Sequence, residues 1–168
     1  MHHGTSSKFL LVFAALGAAL TSCTPAVDLA PAQDSANPAC AAMMIALPDK
    51  LADQQLRATS SQGTAAWGNP SKVVLRCGVN APPPTKDPCV GVNGVDWVSI
   101  QDPAKPDNWT FTTYGREPAT AILFNQNDVA SSTVLAQLAA AAAKIPQTHK
   151  CLGPEDAQLF PAQPSSTP

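Results

Sequence analysis

The stretch KVVLRCGV, Lys72 to Val79, places Val73, Leu75, Cys77 and Val79 on one side of an extended chain and Arg76 on the other. A period of two in a run rich in β-branched residues reads as a strand with one face against a core. Three further runs read the same way: VDWVSI from Val95, WTFTTY from Trp109 and TAILFN from Thr120, each short and bounded by Gly, Pro, Asn or Asp. In the second, Val95 and Trp97 share a face opposite Asp96. A weaker strand is expected around Gln54 to Ser60. The connections are too short for helical crossovers, so the strands are expected to pair as antiparallel neighbours.

Helices are expected on either side of this strand region. In NPACAAMMIALP, Asn37 suits the cap, Pro38 the first helical position, and Pro48 ends the run. Cys40, Met43, Met44 and Leu47 recur at helical spacing and form its apolar face. In SSTVLAQLAAAAAKIP, Ser131 or Ser132 is the expected cap, Val134, Leu135, Leu138 and Ala142 the stripe, and Pro146 the stop. The expectation is an α+β domain: an antiparallel sheet of four to five strands with two helices packed on one face, disulfide-stapled. Its other face, partly wet, is where a binding surface would be sought.

The chain has 168 residues, a formal charge of −2, 13% charged residues and 17 prolines, which suits one domain with irregular extensions. Its ten Lys and Arg are scattered, with no two adjacent, so the electrostatic footprint of nucleic-acid binding is missing. The opening MHHGTSSK supplies positive charge, and Phe9 to Leu20 is free of charged and strongly polar residues. This is the layout of an export leader, too short for a permanent span. The boundary Leu20, Thr21, Ser22, Cys23 resembles the bacterial lipobox, in which the cysteine becomes a lipidated N-terminus. The reading is therefore a signal peptide over 1–22, a flexible tether over 23–36, a domain over 37–160 and a disordered tail over 161–168.

Five cysteines are an odd number for an exported chain. Lipidation of Cys23 leaves Cys40, Cys77, Cys89 and Cys151, which allow three pairings. The expected pairs are Cys77 with Cys89, bracketing a proline-rich excursion, and Cys40 with Cys151, tying the ends of the domain together. A catalytic thiol at Cys77 lacks a plausible base, because the exported chain keeps one histidine, His149, and no cysteine–histidine spacing suits zinc.

At AAWGNPSKVVLRCGV, NGVDW and TTYGREP the sequence resembles an actinobacterial family of exported, often lipid-anchored proteins, domain of unknown function thirty-five fifteen. The matching positions include Trp67, Gly68, Arg76, Cys77, Gly78, Asp96, Trp97, Tyr114, Gly115 and Arg116. The resemblance implies an extracytoplasmic compartment and brings no activity with it.

Trp67, Arg76, Trp97, Tyr114 and Arg116 form the candidate binding surface, since aromatic and guanidinium groups together can stack a ligand and clamp a carboxylate. The competing reading puts Trp67 and Trp97 in the core and pairs Arg76 and Arg116 with Asp96, Asp102 or Glu117. No catalytic residue, metal site or cofactor is expected, although His149 and a carboxylate in one cleft would signal acid–base chemistry. The expected function is that of a non-catalytic binding or accessory module at the outer face of the cytoplasmic membrane, held there through Cys23. Its partner would be an envelope protein. The alternative is a binder of a small peptide or sugar, and an envelope hydrolase ranks third. Mass spectrometry of the membrane fraction should find a diacylglyceryl group on a chain beginning at Cys23; soluble, unmodified protein would refute the anchor.

Overall fold

The computed structural model describes Met1 and residues 24–152. The leader expected over 1–22, the Cys23 expected to carry lipid and the tail expected over 161–168 lie outside the described residues, apart from Met1.

Asn37 caps the first helix, α1 (Pro38–Ile45), its side-chain oxygen accepting from the Ala39 amide, with Pro38 at the first helical position. Cys40 and Met43 face inward. Eight strands follow: β1 (Lys50–Leu51), β2 (Gln54–Arg57), β3 (Thr64–Trp67), β4 (Val73–Val79), β5 (Cys89–Val92), β6 (Val95–Gln101), β7 (Asn108–Thr113) and β8 (Ala119–Asn125). The second helix, α2 (Ser131–Ala142), has Ala130 at its cap position and no side-chain cap, so neither serine serves that role. Its expected stripe, Val134, Leu135, Leu138 and Ala142, is buried.

All eight strands belong to one antiparallel sheet in the order β1-β2-β3-β4-β8-β7-β6-β5. The expectation of four to five strands was too few, and the fold is mostly β. Three strands escaped the sequence pattern for physical reasons. β1 is two residues long, β5 is a four-residue CVGV edge, and β3 is TAAW, whose alanines have little strand preference. Every residue of β3 is buried, so no alternation betrays it.

The face that packs on the helices is assembled by register. Val73 lies opposite Phe124, Leu75 opposite Ile122 and Cys77 opposite Thr120, while Phe111 lies opposite Ile122 and Trp97 opposite Thr113. These side chains meet Cys40 and Met43 of α1 and Val134, Leu135 and Leu138 of α2 in one core. The Thr120 hydroxyl donates to the Met43 sulfur at 3.1 Å. The alternation expected for β4 holds through Cys77 and then shifts at a bulge between Cys77 and Val79. Gly78, at φ 97°, makes that bulge, and its missing side chain leaves room for the backbone at Asp34, whose amide donates to the Gly78 carbonyl at 2.9 Å.

The opposite face is also covered. Asn80 to Pro88 leads from β4 to β5 at the far edge, and Pro82 and Pro83 lie over Val98, Thr112 and Ala121.

The disulfides are Cys40–Cys77 and Cys89–Cys151, with Cα separations of 5.8 and 6.2 Å. The expected pairs Cys77–Cys89 and Cys40–Cys151 are therefore incorrect. Cys77 faces the helices, and β5 is four strand spacings from β4, about 19 Å, beyond the reach of a disulfide. Proximity in sequence misleads because the proline-rich excursion crosses the sheet instead of turning back.

The segment expected as a flexible tether is, from Pro25 onward, bonded to the domain. The Val27 amide donates to the Ala58 carbonyl at 2.8 Å, the Ser60 amide to the Val27 carbonyl at 2.9 Å, and the Leu29 amide to the Ser60 hydroxyl at 3.0 Å. Arg57 donates to the Pro25 carbonyl at 3.0 Å. The domain thus begins about a dozen residues before Asn37.

Peptide mapping without reduction should recover linked fragments carrying Cys40 with Cys77 and Cys89 with Cys151, and a Cys77–Cys89 fragment would contradict the structure. Cys40 and Cys77 are 37 residues apart; replacing both with Ala should lower the unfolding free energy by about 4 kcal/mol on the loop-entropy account.

Candidate functional site

The five candidate residues do not converge. Trp67 and Trp97 are fully buried on the helix-facing side of the sheet. The Trp67 indole donates to the Pro48 carbonyl at 3.0 Å, which ties β3 to the end of α1. Arg76 is half-buried on the opposite face of β4, where its backbone lies between Thr64 and Ala121. Tyr114 and Arg116 come together in the turn that follows β7.

That turn, Tyr114 to Pro118, is one wall of a cavity of about 230 Å³. Its second wall is Thr148 and His149, and its third is Pro82 and Pro84 of the crossing segment. The strap after α2 reaches this place through Gly115. At φ 68°, a side chain on residue 115 would collide with the His149 backbone. With the space open, Thr148 donates to the Gly115 carbonyl twice, from its amide at 2.7 Å and its hydroxyl at 3.0 Å.

Asp96, on β6, holds the rest of the strap. One of its carboxylate oxygens, Oδ2, accepts from the Gln147 side-chain amide and from the Cys151 backbone amide, each at 2.9 Å. Cys151 then bonds covalently to Cys89 on β5. Of the carboxylates weighed as catalytic or calcium-binding, Asp96 is thus occupied as a staple. Asp102 accepts from the Ala104 and Lys105 amides in a turn, and Asp107 is exposed, its carbonyl accepting from the Gln126 amide.

Arg116 is 4% exposed and works as a brace. One terminal nitrogen donates to the Ile145 carbonyl and the other to the Gly94 carbonyl at 3.2 Å, while Nε has no partner. Burial draws its pKa below the usual guanidinium value, and the negative charge of Asp96 opposes that shift. Arg116 and Arg76 form no ion pair with Asp96, Asp102 or Glu117; among the described residues the ion pairs are Lys50–Asp53 and Lys72–Asp128. Each terminal nitrogen of Arg116 is engaged by a carbonyl, and no carboxylate among the described residues is clamped by it.

The cleft's free polar groups are those of Tyr114, Glu117 and His149. The Thr148 hydroxyl lies within hydrogen-bond distance of both the Gly115 carbonyl, at 3.0 Å, and His149 Nδ1, at 2.9 Å, and its single proton can serve one of them at a time. His149, weighed in the sequence only as an acid–base group, and Thr148, not singled out there, are brought in by the strap. The Tyr114–Gly115–Arg116 run was the legible part.

Fold and site together define a disulfide-stapled, single-sheet β domain with two helices on one face and a small cleft where its C-terminal strap meets the β7–β8 turn. A family model matches residues 8–150, and the chain belongs to that family, described as "Protein of unknown function (DUF3515)". No curated protein and no solved structure matches the chain.

Burial predicts how the candidate residues divide. Trp97→Ala should destabilise the fold by about 3–5 kcal/mol, whereas Tyr114→Ala, half-exposed in the turn, should cost about 1 kcal/mol. Chemical denaturation of the two variants separates them, and equal losses would contradict the assignment of core and cleft.

Proposed function

We propose that this protein is a lipid-anchored, extracytoplasmic binding module of the actinobacterial envelope, without catalytic activity, that receives its partner at the Tyr114–His149 cleft. The observation that carries the reading is the construction of the cleft. Three separate segments are locked together by Gly115, Asp96 and the Cys89–Cys151 bond, and they present one aromatic ring with unspent polar groups at a concave, proline-walled surface. Rigid aromatic anchors with polar neighbours are the usual centre of a protein interface. The lipobox at Leu20 to Cys23 supports the location.

Size favours a protein partner over a free ligand. Small-molecule sites are commonly about 300–1,000 Å³, and this cleft, at about 230 Å³, accommodates one side chain or one sugar ring. A peptide or sugar fragment is therefore the second reading, as part of a larger partner.

Acid–base chemistry has one supporting feature, the presence of His149 and Glu117 on the same cleft. No hydrogen bond joins them among those of the described residues, and the imidazole is oriented by a hydroxyl instead of a carboxylate. The hydroxyl beside the histidine, on Thr148, is shared with the Gly115 carbonyl at 3.0 Å.

Crosslinking in intact cells should identify the neighbour of the wild-type domain. Tyr114→Ala and His149→Ala should each reduce that crosslink about tenfold, the consequence of losing an anchor contact of about 1.4 kcal/mol. Arg76→Ala, outside the cleft, should leave it unchanged. The same neighbour at undiminished yield from both cleft variants would remove the cleft from the interface.

A further inference from the structure

We propose that the domain rests against the bilayer by the β1–β2 edge of its sheet, in a single orientation. The inference rests on the lipid anchor proposed at Cys23 and adds to it a face, a direction and a distance. A tether would allow the domain to tumble above the membrane, and the structure shows that almost none of the expected tether is free.

Docking of the N-terminal segment begins immediately after the anchor position. Thr24 and Pro25 line a cavity with Gln55, Leu56, Arg57 and Asn69, so the segment lies along the outer side of β2 from its first described residues. The residue preceding Thr24 is one peptide unit away, about 3.8 Å between Cα atoms. Arg57 acts as a clasp. It donates to the Pro25 carbonyl at 3.0 Å, to the Gly68 carbonyl at 3.3 Å and to the Asn69 side chain at 3.4 Å, which joins the segment to the β3–β4 turn. Beyond it, Val27 is held through both its amide and its carbonyl. The Ser61 hydroxyl donates to the Leu29 carbonyl, and the Ser60 hydroxyl donates to Asp28 at 2.8 Å. Lipid chains attached at position 23 therefore enter the bilayer beside β2, and the edge must follow them down.

That edge carries one exposed large apolar side chain, with a second near it on α1, and Val90 and Ile100 are exposed at the far edge, so the anchor and the clasp rather than apolar surface select the edge. Leu56 is 37% exposed and lines the cavity at Thr24. Ile45, 86% exposed at the end of α1, borders Gln62 and Gly63, next in sequence to the Ser61 that holds Leu29. The charges are mixed, with Lys50 paired to Asp53 at 3.1 Å and Asp28 and Asp49 nearby in sequence, so no basic patch calls for anionic headgroups. The orientation is set by the covalent anchor and the clasp, and it should be the same on neutral and anionic bilayers. It also places the partner site. Tyr114 leaves the end of β7, four strand spacings from β2, about 19 Å. The sheet acts as a spacer that presents the cleft clear of the headgroups.

The test uses the lipid-bearing protein on phosphatidylcholine vesicles doped with a nickel-chelating lipid, with a nitroxide side chain at the position of Gln55 or of Lys86. Dipolar relaxation falls with the sixth power of distance, and β5, which Lys86 closely precedes, is six strand spacings from β2, about 29 Å. Broadening at 55 should therefore exceed that at 86 by more than tenfold, and phosphatidylglycerol vesicles should give the same ratio. A linker of about 15 Gly and Ser residues inserted between Thr24 and Pro25, which leaves the clasp untouched, should bring the ratio close to one. Equal broadening in the chain of native length, with the lipid on Cys23 confirmed by mass, overturns the orientation and leaves the anchor standing. A chain that carries no lipid at Cys23 overturns both.

Discussion

The direction in which Cys77 points governs the rest of this structure. It sits on β4, the fourth strand of eight, fully buried, with its side chain toward the helices and bonded to Cys40 on the inner face of α1. Because strand side chains alternate strictly, this one orientation commits Val73 and Leu75 to the same face and, through register with β8, Ile122 and Phe124 as well. The helices must cover that face, since leaving it wet would forfeit the burial of most of the core. Arg76 is turned by the same constraint to the opposite side, away from Trp67 and Trp97. A slip of one residue would reverse all of these assignments.

The opposite face is finished by chain that forms no regular element. The Asn80–Pro88 segment crosses it, and the strap after α2 is drawn to its end by contacts that share a carboxylate, a glycine and a disulfide. Asp96 accepts from two strap groups with one oxygen, and its charge also favours the buried Arg116 guanidinium. Arg116 in turn braces the carbonyls of Ile145 and Gly94. Residues that looked from their chemistry like a ligand clamp hold the cleft's walls, and the groups left over at the surface, Tyr114, Glu117 and His149, are the ones with capacity to bind. The N-terminal segment obeys the same economy. Arg57, half-buried, spends its two terminal nitrogens on three partners of its own chain, and so the domain extends back almost to the proposed lipid.

How much of this was legible depends on how local each signal is. The Asn37 cap, the α2 stripe and the four long strands β4, β6, β7 and β8 follow from neighbouring residues, and each was read correctly in kind. β3 was missed because TAAW is short and fully buried, so no alternation announces it, and its two alanines carry little strand preference. Val27 was missed because a single residue bridging to Thr59 has no period at all. In the cleft, Tyr114 and Arg116 could be singled out from their residue types, but the role of Arg116 could not, since the carbonyls it binds are 29 and 22 positions away.

By itself the sequence determined the two helices and the four long strands of the core, the even number of cysteines left for bridges once Cys23 is set aside, and the family to which the chain belongs. These are properties of short windows, of counts and of motifs. Only the tertiary structure decided the strand order, the disulfide partners, the docking of the N-terminal segment and the cleft. Each of those depends on which distant segments lie side by side. Here the chain from β4 leaps over β8, β7 and β6 to reach β5, so that twelve residues of sequence separate Cys77 from Cys89 while four strands' width separates them in space.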